Sequence, residues 1–342
     1  MVEKQTIHET DVVIVGAGPV GLFAVFELGM LGLRAHLVDS LEALGGQCTA
    51  LYPEKPIYDI PGYPRIMAGE LIDRLTAQIA PFQAGIHLNQ TVTALDGAAG
   101  NWTIRTDRGT EIACKAVILA AGGGRFAPNR PPLENLQDYE GKSVFYAVTD
   151  KARFAGKRLV LAGGGDSAVD WALALAEHAE SLALVHRRDK FRAAPESVAR
   201  LRALAENGTV EMVTPYQLTG LEGTEGQLRE VAVKTLAGEE KRLPADILLP
   251  FYGLAAELGP IAKWGMEIES KTLRVDPLTM QTNREGIYGI GDGVIYPNKL
   301  KLILTGFSEA ATAAHTIWRQ LHPGQDLHFE YSTTSGVPAT KP

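Results

Sequence analysis

The chain has 342 residues, 45% hydrophobic and 21% charged, with a formal net charge of −7. This is a globular composition, and the length suits about two domains, each large enough for its own core. The acidic balance argues against nucleic acid as the main partner, because phosphate backbones need a basic face.

Residues 1–10 hold acids and no apolar run, so no secretory signal is expected. The most apolar stretch, Val12 to Val38, contains Glu27, Arg34 and His36 and is broken by glycines, so it is not a membrane span. A cytoplasmic protein is expected. Asp11–Val15 reads as a buried parallel strand, Leu22–Leu31 as a helix and Arg34–Asp39 as a second strand. Gly16-Ala-Gly18-Pro19-Val-Gly21 joins the first strand to the helix. Gly16 permits the tight turn, Gly18 lets the backbone approach a pyrophosphate, and Gly21 lets helix and strand pack closely. The helix N-terminus then favours the anion. Asp39, about twenty residues on, can accept from ribose hydroxyls.

Lys115–Gly122 reads as a strand ending in a glycine turn, and Pro128–Pro132 as a linker. The first pattern then returns. Arg158–Ala162 is a strand, Gly163-Gly-Gly165-Asp166-Ser167-Ala168 the turn, Val169–Glu177 a helix and Ser181–Val185 a second strand. This is the G-x-G-x-x-A variant. Where a site for NAD would place an acid stands His186-Arg187-Arg188, with Arg192 as a further positive group. Arginine there accommodates a 2′-phosphate, so this turn should prefer NADPH to NADH. Asp246–Gly253 repeats the character of Lys115–Gly122. Placing a domain crossing after each gives an α/β fold of two dinucleotide-binding, Rossmann-like (three-layer) domains. One comprises residues 1–122 plus 254–342, and the other, residues 123–253, is inserted into it. A helix is expected from Thr305 to about Leu321, and the polar His328–Pro342 is a tail or a strand-like flap. The two cysteines, Cys48 and Cys114, form no CxxC and read as small buried hydrophobes. The eight histidines show no metal spacing, so no metal is expected.

Gly45-Gly46-Gln47, His186-Arg-Arg-Asp-Lys-Phe-Arg192 and Gly286-Ile-Tyr-Gly-Ile-Gly-Asp292, taken with the two glycine turns, resemble the thioredoxin-reductase family of flavoproteins over almost the whole chain. One departure is decisive. Disulfide reductases of that family carry CxxC just before the second glycine turn, where this chain has Tyr146-Ala-Val-Thr149-Asp150. Disulfide exchange needs a thiolate and a resolving partner, and both are missing there. The segment Gly45–Gly62, containing Leu-Tyr52-Pro and Tyr58-Asp59-Ile-Pro, is more similar to the thioredoxin-reductase-like ferredoxin–NADP⁺ reductases, as is Phe329-Glu-Tyr331-Ser-Thr333-Thr.

That resemblance implies FAD at the first turn, on Gly16, Gly18, Pro19, Gly21, Asp39, Gly46, Gln47 and Asp59. It implies that Tyr52 stacks on the isoalloxazine, Val92 touches adenine through its backbone and Asp292 bonds the ribityl or pyrophosphate region. Phe126 packs on the cofactor or simply in the hinge. Thr333 reaches the flavin and Tyr331 covers its other face, unless the tail is disordered. The resemblance also implies a homodimer, with the choice between own and partner flavin left open for the tail. NADP(H) falls to Gly163, Gly165, Asp166, Ser167, Ala168, His186, Arg187, Arg188 and Arg192. The implied activity is hydride transfer from NADPH to FAD, then single-electron transfer to ferredoxin, with no catalytic acid or base from the protein. Lys299, Lys301, Arg34, Lys55 and Arg65 are candidates for docking an acidic ferredoxin. The alternatives are a reductase of the same fold serving flavodoxin, free flavin or another acceptor, a flavin monooxygenase, and a redox sensor without turnover.

Overall fold

The computed structural model describes residues 7–327 and Gly336. Contacts divide the chain into two compact units. One runs to Phe126 and resumes at Ala256; the other spans Ala127–Ala255. Both passages lie in extended segments, Arg125–Pro128 and Leu254–Glu257.

The first unit is built on a five-stranded parallel sheet in the order Ile287–Gly289, Ala116–Leu119, Val12–Val15, Ala35–Val38, Gly85–His87. Its central strands are short β-branched or aliphatic runs buried along their whole length, as parallel strands covered on both faces must be. The helix Pro19–Met30 packs against Ala68–Ile79 and Ile303–Leu321. A second sheet, Ile7–Glu9, Glu111–Cys114, Asn101–Thr106, Val92–Ala98, contributes Trp102, Ile104 and Ile112 to the same core.

The second unit holds a four-stranded parallel sheet in the order Glu211–Val213, Ser181–Val185, Arg158–Ala162, Ile247–Pro250. Helices Asp166–Leu175 and Pro195–Glu206 pack on one another. An antiparallel sheet follows, made of Gln217–Thr224, Gln227–Lys234 and Glu240–Pro244. Its buried Leu218, Val231 and Val233 share a core with Val160 and Val185. This is the α/β architecture of two units that the sequence pattern implies.

Three helices begin earlier than periodicity suggests: at Pro19 rather than Leu22, at Asp166 rather than Val169, and at Ile303 rather than Thr305. In the first two, the last residues of the glycine motif already form the first helical turn, and Pro19 tolerates N1 because its missing N–H has no intrahelical partner to lose. Among the described residues, no helix is long and apolar enough to cross a membrane.

Candidate functional site

The first glycine turn leaves the strand Val12–Val15 and enters the helix Pro19–Met30. Gly16 sits at φ +113°, and a Cβ there would lie 2.4 Å from the carbonyl oxygen of Ala120. A Cβ on Gly21 would lie 1.9 Å from the carbonyl oxygen of Gly16. Both positions are therefore closed to any side chain. Gly18 differs: a Cβ there would meet no protein atom within 4 Å. What forbids a side chain at Gly18 is thus not the protein, which fits a backbone edge left bare for a pyrophosphate.

Asp39 closes the turn from the end of the second strand. One carboxylate oxygen accepts from the Ala17 N–H at 2.6 Å and the other from the Leu41 N–H at 2.8 Å. Burial pushes its carboxyl pKa up, and the N–H groups of Ala17, Leu41 and Ser40 oppose that. A carboxylate has about four acceptor directions, so with these three N–H groups one remains for a ribose hydroxyl. Asp39 also receives the Gln90 N–H on its carbonyl at 2.9 Å, which holds the chain two residues ahead of buried Val92 beside the turn.

Gly45 donates to the Ala17 carbonyl at 2.8 Å, and a Cβ on Gly46 would lie 3.1 Å from the Gly18 Cα. The short helix Gln47–Ala50 therefore starts against the glycine turn, with Gln47 at its head. The Cys48 thiol points to the Tyr52 hydroxyl at 4.0 Å, and the Asp292 charge acts on both. Burial, reinforced by Asp292, pushes the Cys48 thiol up to about 11, and burial pushes Cys114 up to about 12. Neither is a thiolate at neutral pH, so neither is a redox nucleophile. Burial is also the main reason that the Tyr52 phenol is raised.

Asp292 is exposed in the turn Gly291–Gly293. A bolt that the sequence did not suggest holds this turn. Glu309, 3% exposed on the last helix, accepts the Gly291 N–H at 2.7 Å and the Tyr296 hydroxyl at 2.5 Å, and pairs with Lys299. Lys299 is thus not a docking residue as expected: its side chain is 4% exposed and neutralises a buried carboxylate. Gly306 in the same helix packs on Val20, so the N-termini of the first and last helices converge. Asp59 is exposed on the loop Tyr58–Pro64, which shares an open hollow with Leu304. Thr333, Tyr331 and the side chain of Phe126 lie outside the described residues.

The second turn repeats the first with other side chains. A Cβ on Gly163 would lie 2.6 Å from the Phe251 carbonyl oxygen and 2.9 Å from the Ala168 Cβ. Gly165, like Gly18, has nothing within 4 Å of where its Cβ would stand. Asp166 and the exposed Ser167 open the helix, and Asp166 accepts the Ala194 N–H at 2.9 Å. Arg192 donates its N–H to the Gly164 carbonyl at 2.7 Å. The loop 187–192 is thereby tied back to the glycine turn.

His186 lies over Gly164, where a Cβ would meet its ring at 2.2 Å. Burial lowers its pKa, a backbone hydrogen bond at Lys190 opposes this, and the charges of Arg187, Arg192 and Arg188 lower it further. The imidazole is therefore a neutral wall, and the positive charge belongs to the arginines. Arg187 and Arg188 are exposed and line a hollow of about 200 Å³ with Tyr216, Gln217, Lys234 and Leu236. Arg192 is not among its lining residues. Among the described residues Arg187 and Arg188 have no ion-pair partner, while Lys234 is paired with Glu240 at 3.0 Å.

Residues 10–316 match the profile of the pyridine nucleotide-disulphide oxidoreductase family. The chain is 58% identical over 339 residues to a ferredoxin–NADP reductase of Rhodospirillum rubrum, covering 98% of each chain. It is 59% identical over 332 residues to one of Paramagnetospirillum magneticum, covering 97% of this chain and 98% of the relative. Among solved structures, thioredoxin reductase of Lactococcus lactis superposes with a TM-score of 0.78 at 25% identity, over 91% of this chain and 98% of that one. The chain belongs to the pyridine nucleotide-disulphide oxidoreductase family, and over nearly its whole length it is similar to ferredoxin–NADP reductases.

Proposed function

We propose that this protein is a ferredoxin–NADP⁺ reductase that uses FAD and NADP(H). The observation that carries the reading is the pair of glycine turns, each with one open glycine, closed by Asp39 in one unit and by Arg187 and Arg188 in the other. Both cysteines are buried with raised thiol pKa values, which argues against disulfide chemistry. Full-length relatives named ferredoxin–NADP reductase support the same reading.

When bound, FAD would supply the redox chemistry: hydride acceptance from NADPH and one-electron transfer to ferredoxin. The protein's part is to bind, orient and exclude water. Gly18 and Gly21 present backbone N–H groups to the pyrophosphate, Gly16 makes the tight turn, Pro19 opens the helix whose end faces the anion, and Asp39 accepts from the ribose. Gly46 and Gln47 close over the turn, Val92 borders the adenine, and Tyr52 offers a flat face for the flavin ring. Asp292, held by Glu309 through Gly291, orients the ribityl chain. Asp59 and Phe126 join the flavin site, and Thr333 and Tyr331 complete it from the tail of a homodimer. For the nucleotide, Gly163, Gly165, Asp166, Ser167 and Ala168 form the phosphate turn, His186 packs it, and Arg187, Arg188 and Arg192 supply positive charge. Placement of the enzyme in the cytoplasm belongs to the same reading.

Exposed Lys301, Arg65 and Arg34, together with Lys55, remain as docking charges for an acidic ferredoxin. The test is an anaerobic assay with NADPH in which ferredoxin, flavodoxin and free flavin are exchanged as acceptors at several ionic strengths. Ferredoxin should be reduced fastest, and its rate should fall as salt rises. Equal rates with free flavin, indifferent to salt, would make this a general flavin reductase.

A further inference from the structure

We infer that Lys234 is a specificity-determining residue for the 2′-phosphate of NADPH, acting with Arg187 and Arg188 from a different part of the second unit. The inference rests on the NADP(H) reading above and adds to it.

Three observations bring Lys234 there. The Tyr216 N–H donates to the His186 carbonyl at 3.0 Å, which fastens the start of the antiparallel sheet to the strand end from which Arg187 and Arg188 project. Gln217 then pairs with Lys234, and Lys234 with Glu240, in one row across that sheet. Finally, Gln217 and Lys234 line the same hollow as the two arginines. At about 200 Å³ the hollow is smaller than the roughly 300–1,000 Å³ of a drug-sized ligand site, so it suits part of a dinucleotide rather than the whole.

Its chemistry fits a phosphate monoester at the edge of an adenosine. Arg187, Arg188 and Lys234 all line it, and the one acid in the row, Glu240, stands 3.0 Å from the Lys234 Nζ. Two arginine forks leave phosphate oxygens that a compact point charge can still reach. Leu236, 93% exposed on the adjoining turn, gives the rim an apolar surface for a base. The backbone of Arg192, the third cation expected from the motif, is tied to Gly164, and Arg192 does not line this hollow.

The test uses full-length, FAD-loaded protein and two fragments, 2′,5′-ADP and 5′-AMP, titrated calorimetrically. Lys234→Met keeps the apolar stem and removes the charge. It should weaken 2′,5′-ADP about tenfold, equivalent to about 1.4 kcal/mol, and leave 5′-AMP unchanged. Lys234→Arg should restore most of the loss, and Glu240→Gln should tighten 2′,5′-ADP. Because Lys234 is partly exposed, these variants should fold normally. If Lys234→Met binds 2′,5′-ADP like the wild type while Arg187→Ala does not, Lys234 has no such role and the NADP(H) reading stands. If the wild type binds both fragments equally, that reading fails and takes the inference with it.

Discussion

The two nucleotide units share a backbone and treat charge in opposite ways. In the first, charge is folded inward. Asp39 is anchored by the N–H groups of its own turn, and Glu309 and Lys299 neutralise each other in the core beneath Asp292. In the second, charge is turned outward: Arg187 and Arg188 are exposed, and His186 beside them is held towards its neutral form. Groups anchored by bonds within the protein suit a resident cofactor that is placed once and kept. Exposed cations suit a ligand that must arrive and leave at every turnover, because attraction steers it in and solvent lets it go.

The comparison can be broken most sharply at Glu309. Glu309→Ala strands Lys299 in the core, and removing one partner of a buried pair costs about 3–5 kcal/mol. Chemical denaturation should show this loss together with weakened FAD retention. A Glu309→Leu/Lys299→Met double variant should recover much of the stability and still retain FAD poorly, because Gly291 has lost its acceptor. Equal FAD retention in all variants would remove Glu309 from any positioning role.

Next come the glycines. Gly21→Ala drives a methyl into the Gly16 carbonyl and should cost about 3 kcal/mol of stability. Gly18→Ala and Gly165→Ala meet open space, so each should melt like wild type without ligand and lose binding only of FAD or only of NADP(H), respectively. Arg187→Ala or Arg188→Ala should then raise KM for NADPH by about tenfold or more, the loss of one charge-assisted contact of about 1.5–3 kcal/mol. Neither should change KM for NADH or thermal stability.

The smallest effect is expected with pH. In the first unit His36 Nδ1 lies 2.9 Å from His87 Nε2, and the ring of His8 is within 5.5 Å of both. Burial, then the neighbouring His87 and His8, lowers His36 to about 4, and burial lowers His87. Since the folded state binds these protons less readily than the unfolded chain, the contribution is complete above about pH 6.5. It is lost as pH falls from there towards 4. The loss should be on the order of 1–2 kcal/mol after allowing for partial exposure. His36→Gln should flatten stability across that window. His87 also accepts the Asp39 N–H on its carbonyl, so FAD release should follow the same curve in the wild type.

Local sequence carried the repeated part of the design. Glycine spacing, β-branched strands and the residue ending each second strand are features of contiguous segments, and the turns at Gly16 and Gly163 are built as those segments imply. The helix starts were misplaced because Pro19 and Asp166 belong to the glycine motif and the helix at once. What was not legible depends on distant residues meeting. Lys299 looks like a surface lysine, since nothing in its neighbourhood reveals that Glu309 faces it from a helix. Lys234 lies on a separate sheet, which a shared core and the hydrogen bond between Tyr216 and His186 bring to the arginines.

The most direct test of the account is anaerobic mixing of the FAD-loaded protein and ferredoxin with NADPH or with NADH, following flavin bleaching and ferredoxin reduction together. The account predicts rapid bleaching with NADPH, ferredoxin reduction close behind it, and little of either with NADH. Equal bleaching by both donors would contradict the assignment of Arg187 and Arg188. Bleaching by NADPH that never passes to ferredoxin would contradict the proposed acceptor.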